Sequence, residues 1–196
     1  MNQRLFAAVV PPESVLDHLD GALGRLRDRP GAPRWVGRDL QHVTLAFFGE
    51  VPEATVPAVA TAVGDALAVV DVHLRLAGAG TFPAKGDPRV LWVGVDGDVE
   101  ELAELAAAAA DAGRSVGVPI ERRAYRPHVT VGRWPHAAGG DRRVAAALGN
   151  YAGPHFTAGE VVLMRSHHGS APRYETIAAW RGTPGGTVGT RRPTPR

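Results

Sequence analysis

The feature that most constrains this chain is an internal repeat with a spacing of 86 residues. The tetrapeptide HVTL at His42–Leu45 recurs as HVTV at His128–Val131. The same offset aligns two apolar runs, Leu5–Val10 and Leu91–Asp96, and the leucines of the helical pattern that follows each run: Leu16, Leu19, Leu102 and Leu105. One offset that aligns a strand, a helix face and a motif predicts a fold built from two related halves.

The remaining pattern alternates strands with helices. We expect a short strand at Trp35 and Val36, a helix over 53–69, a strand over Val72–Leu76, a turn over Gly78–Pro83, a short helix over 141–148, and late strands over Glu160–Arg165 and Tyr174–Trp180 that are joined by a turn over Gly169–Pro172. This alternation, repeated once, predicts an α+β fold of two lobes. With no long linker between the lobes, we expect one bilobal domain over residues 1–180.

Composition excludes several classes of protein. The chain has no Cys, which excludes disulfide scaffolds, thiolate zinc sites and Cys nucleophiles. The net charge is only +2, and residues 181–196 hold four Arg and no acidic residue. We expect this tail, rich in Gly, Pro and Thr, to be disordered, so the high pI is no sign of broad nucleic-acid binding by the lobes.

Localisation and partners follow from the same composition. The longest apolar runs fall well short of the roughly 20 residues that span a bilayer. The start of the chain lacks a signal-peptide pattern, since Pro11 and Pro12 end its first apolar stretch. We therefore expect a cytoplasmic protein without a membrane partner, and we expect a monomer.

The repeated His-x-Thr motif predicts the chemistry. Residues i and i+2 of a strand share a face, so His42 and Thr44 point one way, and His128 and Thr130 do the same in the second copy. Related lobes would bring both pairs to one cleft. Two imidazoles can act as a general acid and a general base near neutral pH, and hydroxyls can donate to anionic oxygens. A strained cyclic phosphodiester needs these groups and no metal.

Other chemistries fit the residues less well. Two His residues can bind zinc, but a catalytic zinc site usually has a third protein ligand, for which Glu50 is a weak candidate. The chain has no HExxH, no GxSxG, no GxGxxG and no P-loop opening a helix. We therefore predict no metal and no cofactor.

The motifs and their surroundings resemble the 2H phosphoesterase superfamily, and within it the RNA 2′,3′-cyclic phosphodiesterase family once called 2′-5′ RNA ligases. The similarity covers about residues 3–180 through RLFAAVVPP, RWVGRDLQHVTLAFFGEV, PRVLWVGV, RAYRPHVTVGR and VVLMRSHHGSAPRYE. It implies two antiparallel sheets facing a central cleft with helices outside. It also implies hydrolysis of RNA or nucleotide 2′,3′-cyclic phosphate ends to 2′-phosphates. By this resemblance His128 would activate water and His42 would protonate the departing 3′ oxygen, whereas the pseudo-symmetric pair by itself leaves the two roles open. The same groups could form a 2′-5′ link.

Four further residues are candidates for substrate binding. An unbroken strand would place Phe48 on the cleft face, where it could stack on a base. The alternative is that Phe48 belongs to the core. Arg126 has the correct parity for the cleft, whereas Arg133 falls on the opposite face and needs a bulge to reach the phosphate contact that the resemblance suggests. Tyr174 resembles a position near the site, with aromatic packing as the alternative.

Two other functions fit the same residues. One is a module that binds RNA ends or nucleotides without turnover, and the other is a phosphodiesterase for another small cyclic ester. A cluster of Arg residues around the second motif favours a phosphate-rich ligand: Arg122, Arg123, Arg126 and Arg133.

Overall fold

The computed structural model describes residues 1–67, 71–135, 139–167 and 172–181. The strands are β1 (Asn2–Val9), β2 (Arg34–Trp35), β3 (Val43–Pro52), β4 (Val72–Phe82), β5 (Val90–Gly97), β6 (His128–Arg133), β7 (Ala152–Ala158), β8 (Glu160–His167) and β9 (Arg173–Arg181). The helices are α1 (Glu13–Gly24), α2 (Val56–Ala66), α3 (Val99–Ser115) and α4 (Arg142–Ala146). The predicted turn at Gly169–Pro172 lies, except for Pro172, outside the described residues.

The strands form two antiparallel halves. One half has the order β7-β4-β5-β6 and the other β3-β1-β8-β9, with β2 added beside β6. The halves meet where β3 pairs with β6, and that contact consists of one residue pair, Val43 with Val129. The α+β fold of two antiparallel sheets around a cleft is therefore confirmed, and the contact between the sheets is very short.

The helices cover the faces of the sheets that lie away from the cleft. The two helices that the 86-residue offset relates each pack on the other half, since α1, which follows β1, contacts β7, and α3, which follows β5, contacts β3. Their apolar stripes bury Leu16 and Leu19 of α1 and Leu102 of α3. Burying these stripes across the halves ties the lobes together, because separation would expose both cores to water.

The strands differ from the sequence expectations in two places. Gly78–Pro83 forms no turn, because β4 continues to Phe82 and Gly78 sits at a bulge in its pairing with β5. Gly78 has a φ of 62°, which glycine adopts easily, and this is why it resembled a turn residue. β7 was not predicted at all. It carries Pro154 and lies at the edge of the sheet, where a proline is tolerated.

Three expectations stay predictions. β9 ends at Arg181, and the rest of the predicted disordered tail, residues 182–196, lies outside the described residues. No helix within the described ranges is long and apolar enough to cross a membrane. The single domain over 1–180, the monomeric state and the cytoplasmic location remain to be tested.

Candidate active site

The two His-x-Thr motifs meet where the halves meet. Val43 and Val129, the paired residues, are both fully buried in the core. Because side chains alternate along a strand, the residues beside each valine face the cleft. Continued by one residue in each direction, this antiparallel register sets each histidine across from the threonine of the other motif: His42 opposite Thr130, and His128 opposite Thr44. The histidines are then diagonal neighbours, a relation in which residues of paired strands lie about 7–8 Å apart and their Cβ atoms somewhat closer.

Both rings are fixed by the same backbone contact. Nδ1 of His42 lies 2.8 Å from the carbonyl oxygen of Leu40, and Nδ1 of His128 lies 2.7 Å from that of Arg126. A carbonyl oxygen only accepts hydrogen bonds, so Nδ1 carries the proton in both neutral rings. Nε2 of each ring is thereby left as the nitrogen that can accept or deliver a proton.

An ionic contact supports the first of these anchors. Leu40 ends a short 3₁₀ turn, Arg38–Leu40, that precedes His42. Arg38 at the start of that turn pairs with Asp17 and Glu13 of α1, and it donates to the backbone carbonyl of Glu13 at 2.7 Å. The turn that presents the Leu40 carbonyl is thus held to α1 by several hydrogen bonds to one guanidinium.

Aromatic side chains flank both histidines. The Phe6 ring stacks on His42 at a centroid distance of 4.8 Å, and Tyr174 meets His42 edge-on at 5.2 Å. On the other side, Phe82 meets His128 edge-on at 5.1 Å, and Trp92 lies 6.2 Å away. The structure therefore brings the predicted Tyr174 to the site. It also adds Phe6 and Trp92, which sequence reasoning missed although the 86-residue offset relates them.

Burial lowers the pKa of both histidines. The pKa of His42 falls to about 4, mainly because the ring is desolvated, with smaller contributions from the positive charges of His128 and Arg133. Desolvation also lowers the pKa of His128, and Arg133 lowers it further. In both cases the backbone hydrogen bond opposes the shift. Desolvation therefore favours the neutral form of both rings.

A bulge brings Arg133 to the cleft face. Trp92 pairs with Thr130 and Leu91 with Gly132, so Val131 is skipped in the ladder between β5 and β6. The extra residue inverts the alternation beyond it. Arg133 then lies on the same face as His128, and its charge reaches both histidines. The bulge that a phosphate-binding role for Arg133 requires is present.

The placement of Phe48 on the cleft face is wrong. β3 has its own bulge at Leu45, since Ala8 pairs with Thr44 and Ala7 with Ala46. The alternation is inverted as far as Phe47, and Phe48 is itself skipped in the ladder between Phe47 and Gly49. Phe48 is only 2% exposed and packs in the core. Phe47 takes the cleft face instead and is 45% exposed. The guanidinium of Arg4 lies 4.7 Å from the centroid of the Phe47 ring.

Two recesses meet at His128. One, with a volume of about 610 Å³, lies over small residues of β4 and β5, among them Ala77 and Gly94. The other, with a volume of about 910 Å³, runs between β3 and the segment that precedes β6. Arg126 is exposed and lines both recesses, which places this predicted residue beside the site.

The site contains two imidazoles, a donor type that zinc ions bind in proteins. Within the described ranges, no three His, Asp or Glu side chains come together as a metal cluster would require. Glu50, the weak candidate for a third ligand, is exposed and pairs with Arg4 in the ladder between β1 and β3. Among the described residues, the site includes the two imidazoles, the hydroxyls of Thr44 and Thr130, and the guanidiniums of Arg126 and Arg133.

The fold and the paired motifs define a family of known proteins. The sequence profile of the 2′-5′ RNA ligase superfamily matches residues 12–170, so the chain belongs to this superfamily. The resemblance inferred from the motifs is thereby confirmed. An RNA 2′,3′-cyclic phosphodiesterase of Geobacillus stearothermophilus is 35% identical over 159 residues, which are 79% of this chain and 50% of that protein. One of Aeropyrum pernix is 38% identical over 120 residues, or 58% of this chain and 66% of that protein. The alignments thus span about half and just under two thirds of these relatives.

Solved structures agree with the fold. The TT0787 protein of Thermus thermophilus superposes with a TM-score of 0.72 at 29% identity, covering 91% of this chain and 97% of that one. LigT of E. coli in its apo form superposes with a TM-score of 0.73 at 24% identity, covering 93% of this chain and 98% of that one. At this lower identity the likeness to LigT concerns the fold alone.

Proposed function

We propose that the protein is an enzyme that hydrolyses RNA 2′,3′-cyclic phosphate ends to 2′-phosphates, without a metal, by general acid–base catalysis with His42 and His128. The observation that carries this proposal is the pairing of Val43 with Val129, which brings the two motifs together, combined with identical Nδ1 anchors that leave Nε2 of each ring available for proton transfer. The relatives that bear the name RNA 2′,3′-cyclic phosphodiesterase support the activity.

Two proton transfers complete the reaction. Nε2 of His128 takes a proton from water, whose oxygen attacks phosphorus. The bond between phosphorus and the 3′ oxygen breaks, and Nε2 of His42 gives its proton to that oxygen. The product keeps its phosphate on the 2′ oxygen, and the two rings return to their starting states by exchanging one proton with solvent.

The lowered pKa values imply that the proton on His42 arrives with the substrate. A phosphodiester anion between the rings favours their charged forms and raises their pKa values. Because burial lowers the pKa of His42, its protonated form is a strong acid toward a leaving alkoxide. Substrate binding is therefore coupled to proton uptake, and affinity for the anion increases as the pH falls.

The other cleft-facing groups hold the substrate. Thr44 and Thr130 donate hydrogen bonds to the non-bridging oxygens of the phosphate, and Arg133 balances their charge. The exposed ring of Phe47 offers a surface on which the terminal base stacks, the role first considered for Phe48. Tyr174 and Phe6 keep water away from His42.

The reverse use of the site is a second candidate function. A 5′-hydroxyl in the place of water would attack the same phosphorus and leave a 2′-5′ link, with both protons moving as before. The recess of about 610 Å³ beside His128 supports this candidate, because it has room for a second nucleoside. Val99→Phe would fill that recess, and we expect it to reduce joining of a cyclic end to a 5′-hydroxyl strand more than it reduces hydrolysis.

The main test is turnover of uridine 2′,3′-cyclic phosphate in the presence of EDTA. We expect a 2′-phosphate as the only product, at an undiminished rate. A protein that binds the nucleotide but turns over neither this ester nor any other cyclic phosphate would be a binding module. If the protein hydrolysed a different cyclic phosphate ester but not the RNA 2′,3′-cyclic end, the mechanism would stand and the proposed substrate would be wrong.

A further inference from the structure

The residue that precedes each histidine of the site differs between the two halves. Gln41 precedes His42, and Pro127 takes the equivalent position before His128, 86 residues later. Each of them lies between its histidine and the residue whose carbonyl oxygen accepts a hydrogen bond from Nδ1 of that ring. Because that bond decides which ring nitrogen carries the proton, a residue that fixes the carbonyl also fixes the role of Nε2.

Gln41 is buried in the core although its side chain is polar. It is 3% exposed, and the buried polar or charged side chains of the described residues are Gln41 and Thr81. The Oε1 atom of Gln41 has no hydrogen-bond partner among the described residues. Burying an amide costs free energy unless its polar atoms are bonded, so an apolar side chain of the same length would serve packing at least as well. Packing therefore gives no reason for an amide at this position.

The Nε2 group of Gln41 closes the segment that leads to His42. It donates a hydrogen bond to the carbonyl oxygen of Val36 at 3.3 Å. Val36 in turn donates its backbone N–H to the carbonyl oxygen of Val131 on β6, at 3.0 Å. Gln41 thus ties the end of this segment, and with it the carbonyl that anchors His42, to the strand that carries the second motif.

Pro127 restrains the corresponding carbonyl in the second half by a different means. Its ring holds φ near about −65° and confines the preceding residue, Arg126, to extended conformations. Residues 116–127, all of which the structure describes, form no helix or strand whose hydrogen bonds would hold that carbonyl. A proline could not replace Gln41 in the first half, because the backbone N–H of Gln41 donates to the carbonyl oxygen of Arg38 at 3.0 Å.

We propose that Gln41 and Pro127 are positioning residues, each of which fixes the carbonyl that anchors Nδ1 of the following histidine. A buried amide does this for His42, and a proline does it for His128. Nε2 of each neutral ring is thereby kept free of a proton and held in one direction. The inference deepens the proposed function, on which its kinetic test rests, whereas its test by ring tautomer requires no turnover.

The tautomer of each ring tests the proposal directly. The chemical shifts of the ring nitrogens are measured by NMR, at a pH at which both rings are neutral, for the wild type, Gln41→Met and Pro127→Ala. We expect the Nδ1–H tautomer for both rings of the wild type, a mixture of tautomers for His42 alone in Gln41→Met, and a mixture for His128 alone in Pro127→Ala. Each variant is thus the control for the other. Thr81→Val, which removes the other buried polar group, should change neither ring.

Turnover separates the two variants further. Both should lower kcat for uridine 2′,3′-cyclic phosphate about tenfold and leave KM within twofold, because a misdirected ring transfers its proton poorly while the substrate still binds. When sulfur replaces the 3′ oxygen, the leaving group needs no proton. The loss should then disappear in Gln41→Met and persist in Pro127→Ala, and the melting temperature of Gln41→Met should equal that of the wild type.

An unchanged tautomer in either variant would refute the role of the residue that it replaces. Equal changes of both rings in both variants would indicate a general loosening of the site and overturn the proposal. If Gln41→Met failed to fold, proton exchange at Nε2 of Gln41 in the wild type would decide, since exchange as fast as that of the exposed Asn2 amide would exclude the bond to Val36. A wild type with the expected tautomers and no turnover would refute the proposed function and leave this inference standing.

Discussion

The two halves of the molecule hold their histidines with the same backbone contact and surround them differently. The Nδ1–H group of each ring donates a hydrogen bond to the backbone carbonyl oxygen two residues earlier in the chain. His42, however, is stacked under Phe6, whereas the aromatic rings around His128 meet it edge-on or at a greater distance. Burial lowers the pKa of both rings, that of His42 to about 4. The duplication set the positions of the rings, and the packing around them has diverged.

A second difference lies five residues beyond each histidine. Phe47 and Arg133 are related by the 86-residue offset, and so are the bulged residues Leu45 and Val131 that turn them to the cleft face. The same backbone irregularity thus presents an aromatic ring in one half and a cation in the other. A symmetric scaffold can in this way hold a ligand with unlike ends, a base and a phosphate.

The largest expected effect comes from removing one ring at a time. His42→Gln and His128→Gln should each lower kcat by about 10²–10⁴-fold, the usual size of a general acid or base contribution. Replacing the 3′ oxygen of the substrate by sulfur separates the roles, because a leaving thiolate needs no proton. We expect His42→Gln to recover much of its activity on that substrate and His128→Gln to recover none.

His155→Gln serves as the control, since His155 is exposed on β7. If only His128→Gln recovered activity on the sulfur-substituted substrate, His128 would be the general acid and His42 the general base. Full activity of either variant on the oxygen substrate would refute the mechanism.

The threonines should matter next. Thr44→Val and Thr130→Val remove one hydroxyl each with little change in shape, and we expect kcat to fall by roughly 10²-fold, as for the loss of one oxyanion donor. Similar losses in both would indicate that the phosphate sits symmetrically. Thr157→Val on β7 is the control, and a loss of melting temperature in the site variants beyond that of the control would point to a structural role instead.

Substitutions of Phe47 and Arg133 should have different effects on KM and on the titration of the histidines. Phe47→Leu should raise KM about tenfold, the effect of losing one base stack, and should have no effect on a ribose 2′,3′-cyclic phosphate that lacks a base. Arg133→Gln should raise KM for both substrates. It should also raise the pKa of both histidines, measured by NMR titration, because its charge lowers them in the wild type. If the pKa values of both histidines were unchanged in Arg133→Gln, Arg133 would not lie close to the site.

The smallest effect concerns stability in acid. The folded pKa of His42, about 4, lies below the unfolded value of about 6.5, so unfolding takes up a proton between these values. The contribution of His42 to stability is full above pH 6.5 and is lost as the pH falls toward 4. The urea midpoint should therefore drop less between pH 7.5 and 5 in His42→Gln than in the wild type. Equal drops would mean that His42 is not desolvated.

Much of the fold could be predicted from the sequence because the internal repeat and the hydrophobic periodicity are visible in a single chain. The offset predicted β1, β5, α1, α3 and the two motif strands, and each apolar stripe indicated its buried face. β7 escaped because an edge strand with a proline needs little apolar alternation. Gly78 was misread because a glycine with positive φ serves a turn and a bulge equally well. Phe48 was misplaced for a related reason: the extra residue at Leu45 depends on the pairing with β1, which no local pattern shows.

The sequence by itself determined the superfamily, the duplicated α+β fold and the pair of histidines, since repeats, hydrophobic alternation and motif parity are properties of neighbouring residues. Tertiary structure alone decided that Val43 pairs with Val129, which nitrogen of each ring contacts the backbone, and that Phe47 and Arg133 rather than Phe48 reach the cleft face. Those outcomes depend on register and burial between distant segments. A shift of one residue in either ladder would invert every face while leaving the sequence pattern unchanged.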